Sequence, residues 1–186
     1  MNLQIKEISS KRELKDFISL PWKIYKDDHN WVPPLRLAIK ELLSPKHPFY
    51  ETGEIKLFIA IKNNQVVGRI AAIINNTHNK FWNEKVGFWG FFEAVEEQSV
   101  AKSLFNTAEN WVKTQGMDKI RGPVNPSTNY ECGLLVNGHD DFPQIMMTYN
   151  PTYYSELLEQ QGYKKIKDLL AYQIDLSFNM PEKITK

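Results

Sequence analysis

The alternation of apolar and polar residues in the first half of the chain predicts three strands. Residues 3–8 alternate strictly, as expected for a strand with one covered face. Residues 55–61 and 66–74 are rich in isoleucine and valine, and Asn63-Asn64 lies between them. Because paired asparagines favour a tight turn, these two segments predict a β-hairpin.

Further strands are predicted downstream of the hairpin. Residues 85–94 are almost wholly apolar and predict a strand covered on both faces, and residues 119–124 predict a short strand. Residues 144–149 predict a further strand that extends the sheet. The polar segment 75–83 and the turn-rich segment 125–143 are predicted to be loops.

Two segments carry the 3.6-residue period and the end signals of helices. Residues 99–115 have apolar positions at helical spacing, and Gly116 is a C-terminal stop. Ser10 with Glu13 forms a capping-box pattern that opens a shorter helix, which Pro21 ends.

The last third of the chain predicts a helix followed by a strand. Asn150 is the expected N-cap, Pro151 the expected first helical residue and Gly162 the expected stop. Residues 167–175 predict the final strand. The resulting order of elements indicates an α/β protein with a mixed, mostly antiparallel central sheet flanked by helices.

Residues 22–48 interrupt this regular order. They hold Trp22, Tyr25 and Trp31, four prolines that break regular structure, and a predicted helix at 35–43. Two interpretations stay open here: the segment forms a lid over a substrate, or it covers one face of the sheet. We divide the chain into a domain at 1–175, made of this N-terminal part (1–54) and a core (55–175), and a tail or linker at 176–186.

Composition narrows the class of protein. With 186 residues, 42% of them hydrophobic, and a net charge of +1, the chain can bury one core but has no overall charge that recruits nucleic acid. The single cysteine, Cys132, excludes a disulfide within the chain and suits the cytoplasm. No apolar run approaches the ~18–20 residues of a membrane span. The cluster Lys164, Lys165 and Lys167 is expected at a solvated strand edge.

Four short segments carry a resemblance to a known family: residues 89–93 (WGFFE), 122–127 (GPVNPS), 133–135 (GLL) and 150–154 (NPTYY). Together with the order of elements over 55–175, they resemble the GNAT (Gcn5-related N-acetyltransferase) superfamily, and more narrowly a divergent bacterial GNAT-like family. The resemblance implies the acyl-CoA N-acyltransferase fold. In that family the chain often continues into a second, similar half, so a homodimer or a second half is a possible partner.

The resemblance also implies a co-substrate, acetyl-CoA or acyl-CoA, and an acceptor, the amine of a small molecule or peptide. The CoA would lie between the splayed strands 86–94 and 119–124, with its pyrophosphate on the amino end of the next helix, where free N–H groups and the helix dipole attract an anion. The residues that it would contact are Phe92, Ala94, Ser99, Val100, Ala101 and Asn125.

Two departures from the family pattern favour an alternative, a non-catalytic module that binds a ligand or partner. Glu96 and Glu97 stand in the pyrophosphate loop, where two carboxylates repel phosphate. Leu158 stands where GNAT enzymes often carry a tyrosine acid. On a helical wheel Tyr154 shares the face of Leu158 and could reach the cleft, or it could simply pack in the core.

Glu93 and Tyr154 are the candidate catalytic residues. Glu93 ends an apolar strand, where burial would raise its pKa towards that of a useful general base; a solvated strand end is the alternative. Ser127, Asn129 and Tyr130 are candidates for binding the acceptor, because ligands bind beyond the carboxyl ends of strands, although turn formation alone also explains such residues. No metal site is expected, because the histidines show no ligand spacing.

Overall fold

The computed structural model describes residues 2–174 of the chain. One sheet holds the strands in the order β1-β2-β3-β4-β5, and helices lie between the strands and after the last one. The strands are β1 (Leu3–Glu7), β2 (Gly53–Lys62), β3 (Gln65–Asn75), β4 (Val86–Ala94) and β5 (Lys119–Arg121). The α-helices are α1 (Lys11–Ser19), α2 (Pro21–Ile24), α3 (Arg36–Leu42), α4 (Asn76–Trp82), α5 (Gln98–Thr114) and α6 (Tyr154–Glu159).

Strands β1 to β4 pair antiparallel, and β5 pairs parallel to β4. The predicted fold class is therefore confirmed: a mixed, mostly antiparallel sheet with helices against it. The predicted capping box of α1 is also present, since the Ser10 side chain accepts the N–H of Glu13 and the Glu13 side chain accepts the N–H of Ser10.

Both faces of the sheet are covered, which explains the nearly continuous apolar sequence of β4. Trp89 and Phe92 pack in a core with α5, whereas Phe88 and Phe91 pack in a second core with Phe17 of α1. Every residue of β4 is buried as a result.

A bulge in β4 sets the position of its last residues. Ala71 of β3 pairs with Gly90, but Arg69 pairs with Glu93, so that Phe91 and Phe92 stand opposite the single residue Ile70. Phe91 takes the left-handed conformation, with φ of 49°. The extra residue places Glu93 directly opposite Arg69, and side chains of paired residues point to the same face of a sheet.

The polar segment 75–83 is a helix and not the predicted loop. The side chain of Asn75 accepts the N–H of His78 at 2.9 Å and caps α4. The prediction was wrong because asparagine serves equally as a turn residue and as a helix cap.

The last helix begins later than predicted. It starts at Tyr154, and Asn150 and Pro151 precede it. The amide of Asn150 is buried and instead binds the backbone of Leu135, accepting its N–H at 2.7 Å and donating to its carbonyl at 3.2 Å. Asn150 was therefore wrong as an N-cap, because a backbone 15 residues away competes for its side chain. Gly162, with φ of 86°, follows the helix as predicted.

The two strands predicted last are absent from the described residues. Residues 144–149 and 167–174 have no strand structure, and residue 175 and the tail at 176–186 lie outside the described part. A strand needs a neighbour to bond its backbone, and β5 is only three residues long and is followed by Gly122-Pro123, where proline lacks the N–H that a ladder requires. Ile166, Tyr172 and Ile174 are accordingly exposed.

Candidate active site

A buried carboxylate stands at the end of β4. Oε2 of Glu93 accepts hydrogen bonds from the hydroxyl of Tyr154 at 2.7 Å and from the hydroxyl of Tyr25 at 2.9 Å. Oε1 lies 3.5 Å from Nη2 of Arg69, and only 9% of Glu93 is exposed. One carboxyl group thus has partners from three elements: Arg69 from β3, Tyr25 from the end of α2 and Tyr154 from α6.

Burial and the neighbouring groups act in opposite directions on this carboxyl. Desolvation raises the pKa of Glu93 above its ordinary value, while Arg69 and the hydroxyls of Tyr154 and Tyr25 hold it down. Burial, together with the nearby Glu93 charge, raises the pKa of both tyrosines well above the usual range, so that their hydroxyls stay protonated and donate. A carboxylate with a raised pKa and fixed donors fits a general base.

Arg69 is held by more than its charge partner. Its Nη1 donates to the carbonyl of Phe17 at 2.8 Å, and its guanidinium carbon lies 4.9 Å from the Phe17 ring centroid. Burial lowers the pKa of Arg69, but the guanidinium stays charged because Glu93 opposes this shift and its intrinsic pKa is so high. Its Nε is buried and has no protein partner among the described residues.

Helix α6 is bonded to β4 through two adjacent tyrosines. The Tyr154 hydroxyl accepts the N–H of Ala94 at 2.9 Å, and the Tyr153 hydroxyl donates to the carbonyl of Ala94 at 2.7 Å. Leu158, by contrast, is buried in the core beside α5. Tyr154 therefore reaches the end of β4 from a position one helical turn before Leu158.

An apolar cleft of about 230 Å³ opens over the carboxylate. Its floor contains Glu93, Arg69 and Tyr154. Its walls are mostly aromatic, aliphatic and proline side chains from the N-terminal part, β4 and the loop before α6; they include Trp22, Trp31, Val32, Ile39, Leu42, Phe91, Phe92, Leu134, Met146 and Met147.

The N-terminal part forms one wall of this cleft as an aromatic stack. The ring of Tyr25 stacks on Trp31 at 4.8 Å, and Trp22 meets Trp31 edge-on at 5.3 Å. The guanidinium carbon of Arg36 lies 4.2 Å above the Trp22 ring. Both interpretations of residues 22–48, a substrate lid and a cover for one face of the sheet, keep support. The segment covers that face and also forms a wall of the cleft.

Asn125 binds the bulge of β4. Its Oδ1 accepts the N–H of Phe91 at 2.7 Å, and Asn125 also lines the cleft. The segment after β5 approaches β4 so closely here that a Cβ on Gly90 would lie 2.0 Å from the carbonyl oxygen of Val124. Only glycine fits at position 90, and the side chain of Asn125 takes the place of a ladder acceptor.

The start of α5 is less open than the resemblance implies. The side chains of Val100 and Ala101 are fully buried, and both N–H groups donate to the carbonyl of Glu97. The Glu97 carboxylate bonds Lys62 at 2.6 Å and the Ser99 hydroxyl, so part of its negative charge is neutralised. Glu96 is exposed to solvent.

Of the three residues expected to bind the acceptor, only Tyr130 lines the cleft. Its hydroxyl lies 3.4 Å from Nε2 of His47. Ser127 and Asn129 form a turn, in which the Ser127 hydroxyl accepts the N–H of Asn129 at 3.3 Å. Of the residues expected to contact CoA, Phe92 and Asn125 line the cleft. Ala94 does not line it, and its backbone is bonded to Tyr153 and Tyr154.

Two residues of the site, Arg69 and Tyr25, were missed by sequence reasoning. Arg69 is a single charge inside the apolar strand 66–74, and a buried charge requires a partner, which was the available signal. Tyr25 had no such signal, because its role depends on how α2 packs against β4. Within residues 2–174, no group of three or more potential metal ligands occurs, and no helix has the length and apolar character needed to cross a bilayer.

No family model matches the chain. It is 38% identical to Protein YghO of Escherichia coli over 178 residues, and 37% identical over 183 residues to a protein of Caulobacter vibrioides named bacterial ceramide synthase. These matches cover 94% and 97% of the chain but 46% and 48% of the relatives. The chain thus spans about half the length of the curated relatives it matches.

Two solved structures with similar folds are aminoglycoside acetyltransferases. An aminoglycoside acetyltransferase from a soil metagenomic sample, in complex with sisomicin, has a TM-score of 0.56 at 10% identity and covers 94% of this chain and 97% of its own. An aminoglycoside 6'-N-acetyltransferase from Acinetobacter haemolyticus has a TM-score of 0.56 at 16% identity, over 95% and 100% of the two chains. The chain therefore has the GNAT acyltransferase fold that its sequence resembles.

Proposed function

We propose that this chain transfers an acyl group from acyl-CoA to an amine, and that the acceptor is a molecule with a long alkyl chain. The observation that carries the proposal is the buried Glu93 carboxylate at the floor of an apolar cleft, bonded by Tyr25 and Tyr154. The GNAT fold, and the acetyltransferases that share it, support acyl transfer as the reaction class.

The residues present fit the acyl end of the co-substrate better than its nucleotide end. The apolar walls of the cleft suit an acyl chain. At the start of α5, Ser99 and the helix dipole would hold the pyrophosphate, with Lys62 offsetting the charge of Glu97. When bound, acyl-CoA supplies the acyl group as an activated thioester. The similar fold of AAC(6')-Iy, solved with the bisubstrate analogue CoA-S-monomethyl-acetylneamine, supports CoA as the carrier.

The side chains of this protein then have distinct tasks. Glu93 takes a proton from the amine nitrogen, which makes the nitrogen lone pair available for the acyl carbon. Arg69 and the tyrosine hydroxyls hold that carboxylate ionised and in one orientation. In the balanced reaction the carbon–sulfur bond breaks, a carbon–nitrogen bond forms and the thiol leaves with a proton.

The acceptor class follows from the relatives and from the cleft. Ceramide is an amide of a long-chain amino alcohol, and one relative 37% identical over 97% of this chain is named a ceramide synthase. A cleft lined by Trp22, Trp31 and Leu42 favours an alkyl chain over a polyhydroxylated amine. We place the reaction in the cytoplasm, as the single cysteine suggests. A homodimer or a second GNAT-like half stays a prediction.

The test is a binding titration followed by a transfer assay. We expect calorimetry to detect binding of hexadecanoyl-CoA, and mass spectrometry to detect an N-acyl product with sphinganine as the acceptor. A matched reaction with a small water-soluble amine, such as glucosamine, should give less product. Transfer to glucosamine alone would overturn the long-chain acceptor.

The alternative, a non-catalytic binding module, is favoured by one observation, the carboxylates of Glu96 and Glu97 beside the start of α5. The same titration separates the two functions. Absence of binding at millimolar acyl-CoA, with the protein folded by circular dichroism, would reject the enzyme and support the module.

A further inference from the structure

Exposed apolar side chains lie on two separate segments of the chain, either lining the cleft or directly beside residues that line it, such as Pro34 and Pro143. Val32 is 52% exposed and Leu35 is 78% exposed on the N-terminal side, and Ile145 is 95% exposed on the loop before α6. Phe142 and Met146 of the same loop are 56% and 57% exposed. We call these five residues, Val32, Leu35, Phe142, Ile145 and Met146, the apolar rim.

The two segments of the apolar rim lie side by side. The Asn30 amide donates to the carbonyl of His139 at 3.1 Å, and the Tyr149 hydroxyl bonds the Asp28 carboxylate at 2.9 Å. Val32 and Met146 line the cleft itself. The apolar rim is therefore continuous with the apolar interior that leads to Glu93.

We propose that the apolar rim docks on the surface of a lipid bilayer, so that a lipid acceptor passes from the membrane into the cleft without crossing water. This inference rests on the proposed long-chain acceptor. Exposed apolar surface of this kind is unfavourable in water and marks sites of interaction. A bilayer fits better than a protein partner because the apolar rim opens directly into a cleft suited to an alkyl chain.

The charges around the apolar rim agree with a phospholipid surface on one side. Arg36 and Lys40 are exposed and stand one turn apart on α3, next to Leu35. Arg36 also lies over Trp22, and tryptophan and arginine are side chains that settle at the headgroup level of a membrane. On the other side, the exposed Asp140 and Asp141 precede Phe142, so apolar contact has to supply the binding there.

The chain offers a matched control at the other end of the sheet. Phe81 and Trp82 of α4 are 76% and 63% exposed, but they belong to the connection that enters β4, and neither lines the cleft. A double substitution Phe81→Glu, Trp82→Glu adds the same charge as Leu35→Asp, Ile145→Asp. Neither Leu35 nor Ile145 lines the cleft, and aspartate at position 35 is a good N-cap for α3.

The experiment is co-sedimentation of the full chain with vesicles of phosphatidylethanolamine and phosphatidylglycerol. We expect the wild type and the α4 variant to sediment, and the Leu35→Asp, Ile145→Asp variant to bind about tenfold less, because binding scales with buried apolar area. That rim variant should keep its rate with a water-soluble amine and lose rate with an acceptor embedded in vesicles. Raising the salt concentration should weaken binding only in part.

Wild-type protein that stays in the supernatant, or an α4 variant that loses as much binding as the rim variant, would overturn the inference. Sedimentation that persists in the rim variant, with unchanged thermal unfolding, would also overturn it. Vesicle binding by a protein that does not bind hexadecanoyl-CoA would reject the proposed function alone and leave the docking surface standing.

Discussion

The hydroxyl of Tyr154 donates to Oε2 of Glu93 at 2.7 Å, although 61 residues separate the two in the sequence. The same hydroxyl accepts the N–H of Ala94 at 2.9 Å, so its proton is directed at the carboxylate. A tyrosine that receives one bond and gives another has a fixed orientation. The candidate base is thereby held by the same contact that attaches α6 to the sheet.

Replacing Glu93 by glutamine should abolish most of the turnover. We expect a loss of about 10²-fold or more, the range for a lost general base, with binding of hexadecanoyl-CoA unchanged. The matched control is Glu159→Gln, because Glu159 is an exposed carboxylate of α6 that does not line the cleft. Equal rates for the Glu93→Gln variant and the wild type would show that Glu93 takes no part in the chemistry.

The rate should depend on pH through the same group. Burial raises the pKa of Glu93 above its ordinary value of 4.5, and the base acts only when it is ionised. The value of kcat/KM should therefore fall as the pH is lowered through this raised pKa, above the range of a solvated carboxyl. A profile flat down to pH 4.5, measured where the protein stays folded, would contradict a buried base.

Removing Arg69 should act on stability and on pH dependence together. Arg69→Met leaves the Glu93 carboxylate buried without its cation, which costs about 3–5 kcal/mol in the free energy of unfolding. The pKa of Glu93 should rise further, and the acid limb of the rate profile should move to higher pH. Urea denaturation and pH–rate profiles measure the two effects.

A double variant tests whether this cost comes from the unpaired charge. Arg69→Met with Glu93→Gln buries no ion, so it should recover much of the stability that Arg69→Met loses. A double variant as unstable as the sum of the two single variants would mean that Arg69 acts through packing on Phe17 and not through its charge.

The two adjacent tyrosines should differ in their effect on catalysis. Tyr154→Phe removes a donor to Glu93 and leaves the N–H of Ala94 without an acceptor, at about 1–3 kcal/mol, and it should shift the pH–rate profile upward. Tyr153→Phe removes only the bond to the Ala94 carbonyl and should leave the pH–rate profile in place. Identical profiles for the two variants would contradict the assignment of Tyr154 to the carboxylate.

Acid should weaken the N-terminal helix through a different carboxyl. Lys6 and the N–H groups of Ser9 and Ser10 lower the pKa of Glu13 from 4.5 to about 2. Because this pKa is lower in the folded protein, the stabilisation is present above pH 4.5 and is lost as the pH falls towards 2. Thermal unfolding of Glu13→Gln should accordingly depend less on pH over this range than that of the wild type.

Local signals predicted those parts of the molecule that local interactions form. The capping box of Ser10 and Glu13, the hairpin around Asn63-Asn64 and the amphipathic α5 depend on residues close in sequence, and all three are present. Glu93 was recognisable because a carboxylate at the end of a buried apolar strand is costly unless it has a bonding partner. Its burial could be inferred, whereas the identity of its partners could not.

The remaining features depend on competition between distant groups. Asn150 has the properties of an N-cap, but the backbone of Leu135 takes its amide, and no pattern around residue 150 indicates this. Residues 167–174 have the alternation of a strand, yet a strand forms only where a neighbouring strand has free backbone groups to bond it. Tyr25 reaches Glu93 only because α2 packs on β4.

The contacts of Arg69 and Glu93 join the N-terminal part of the chain to the sheet. Residues 1–54 differ from the core at 55–175 in their prolines and aromatic residues, yet the guanidinium of Arg69 bonds Phe17 and the hydroxyl of Tyr25 donates to Glu93, so that both members of the charge pair are completed from that first segment. A fragment starting at β2 would retain four of the five strands and still expose Arg69 and Glu93 to water. The N-terminal part and the sheet are therefore coupled through this pair, and exchanging one without the other would leave Arg69 and Glu93 without these partners.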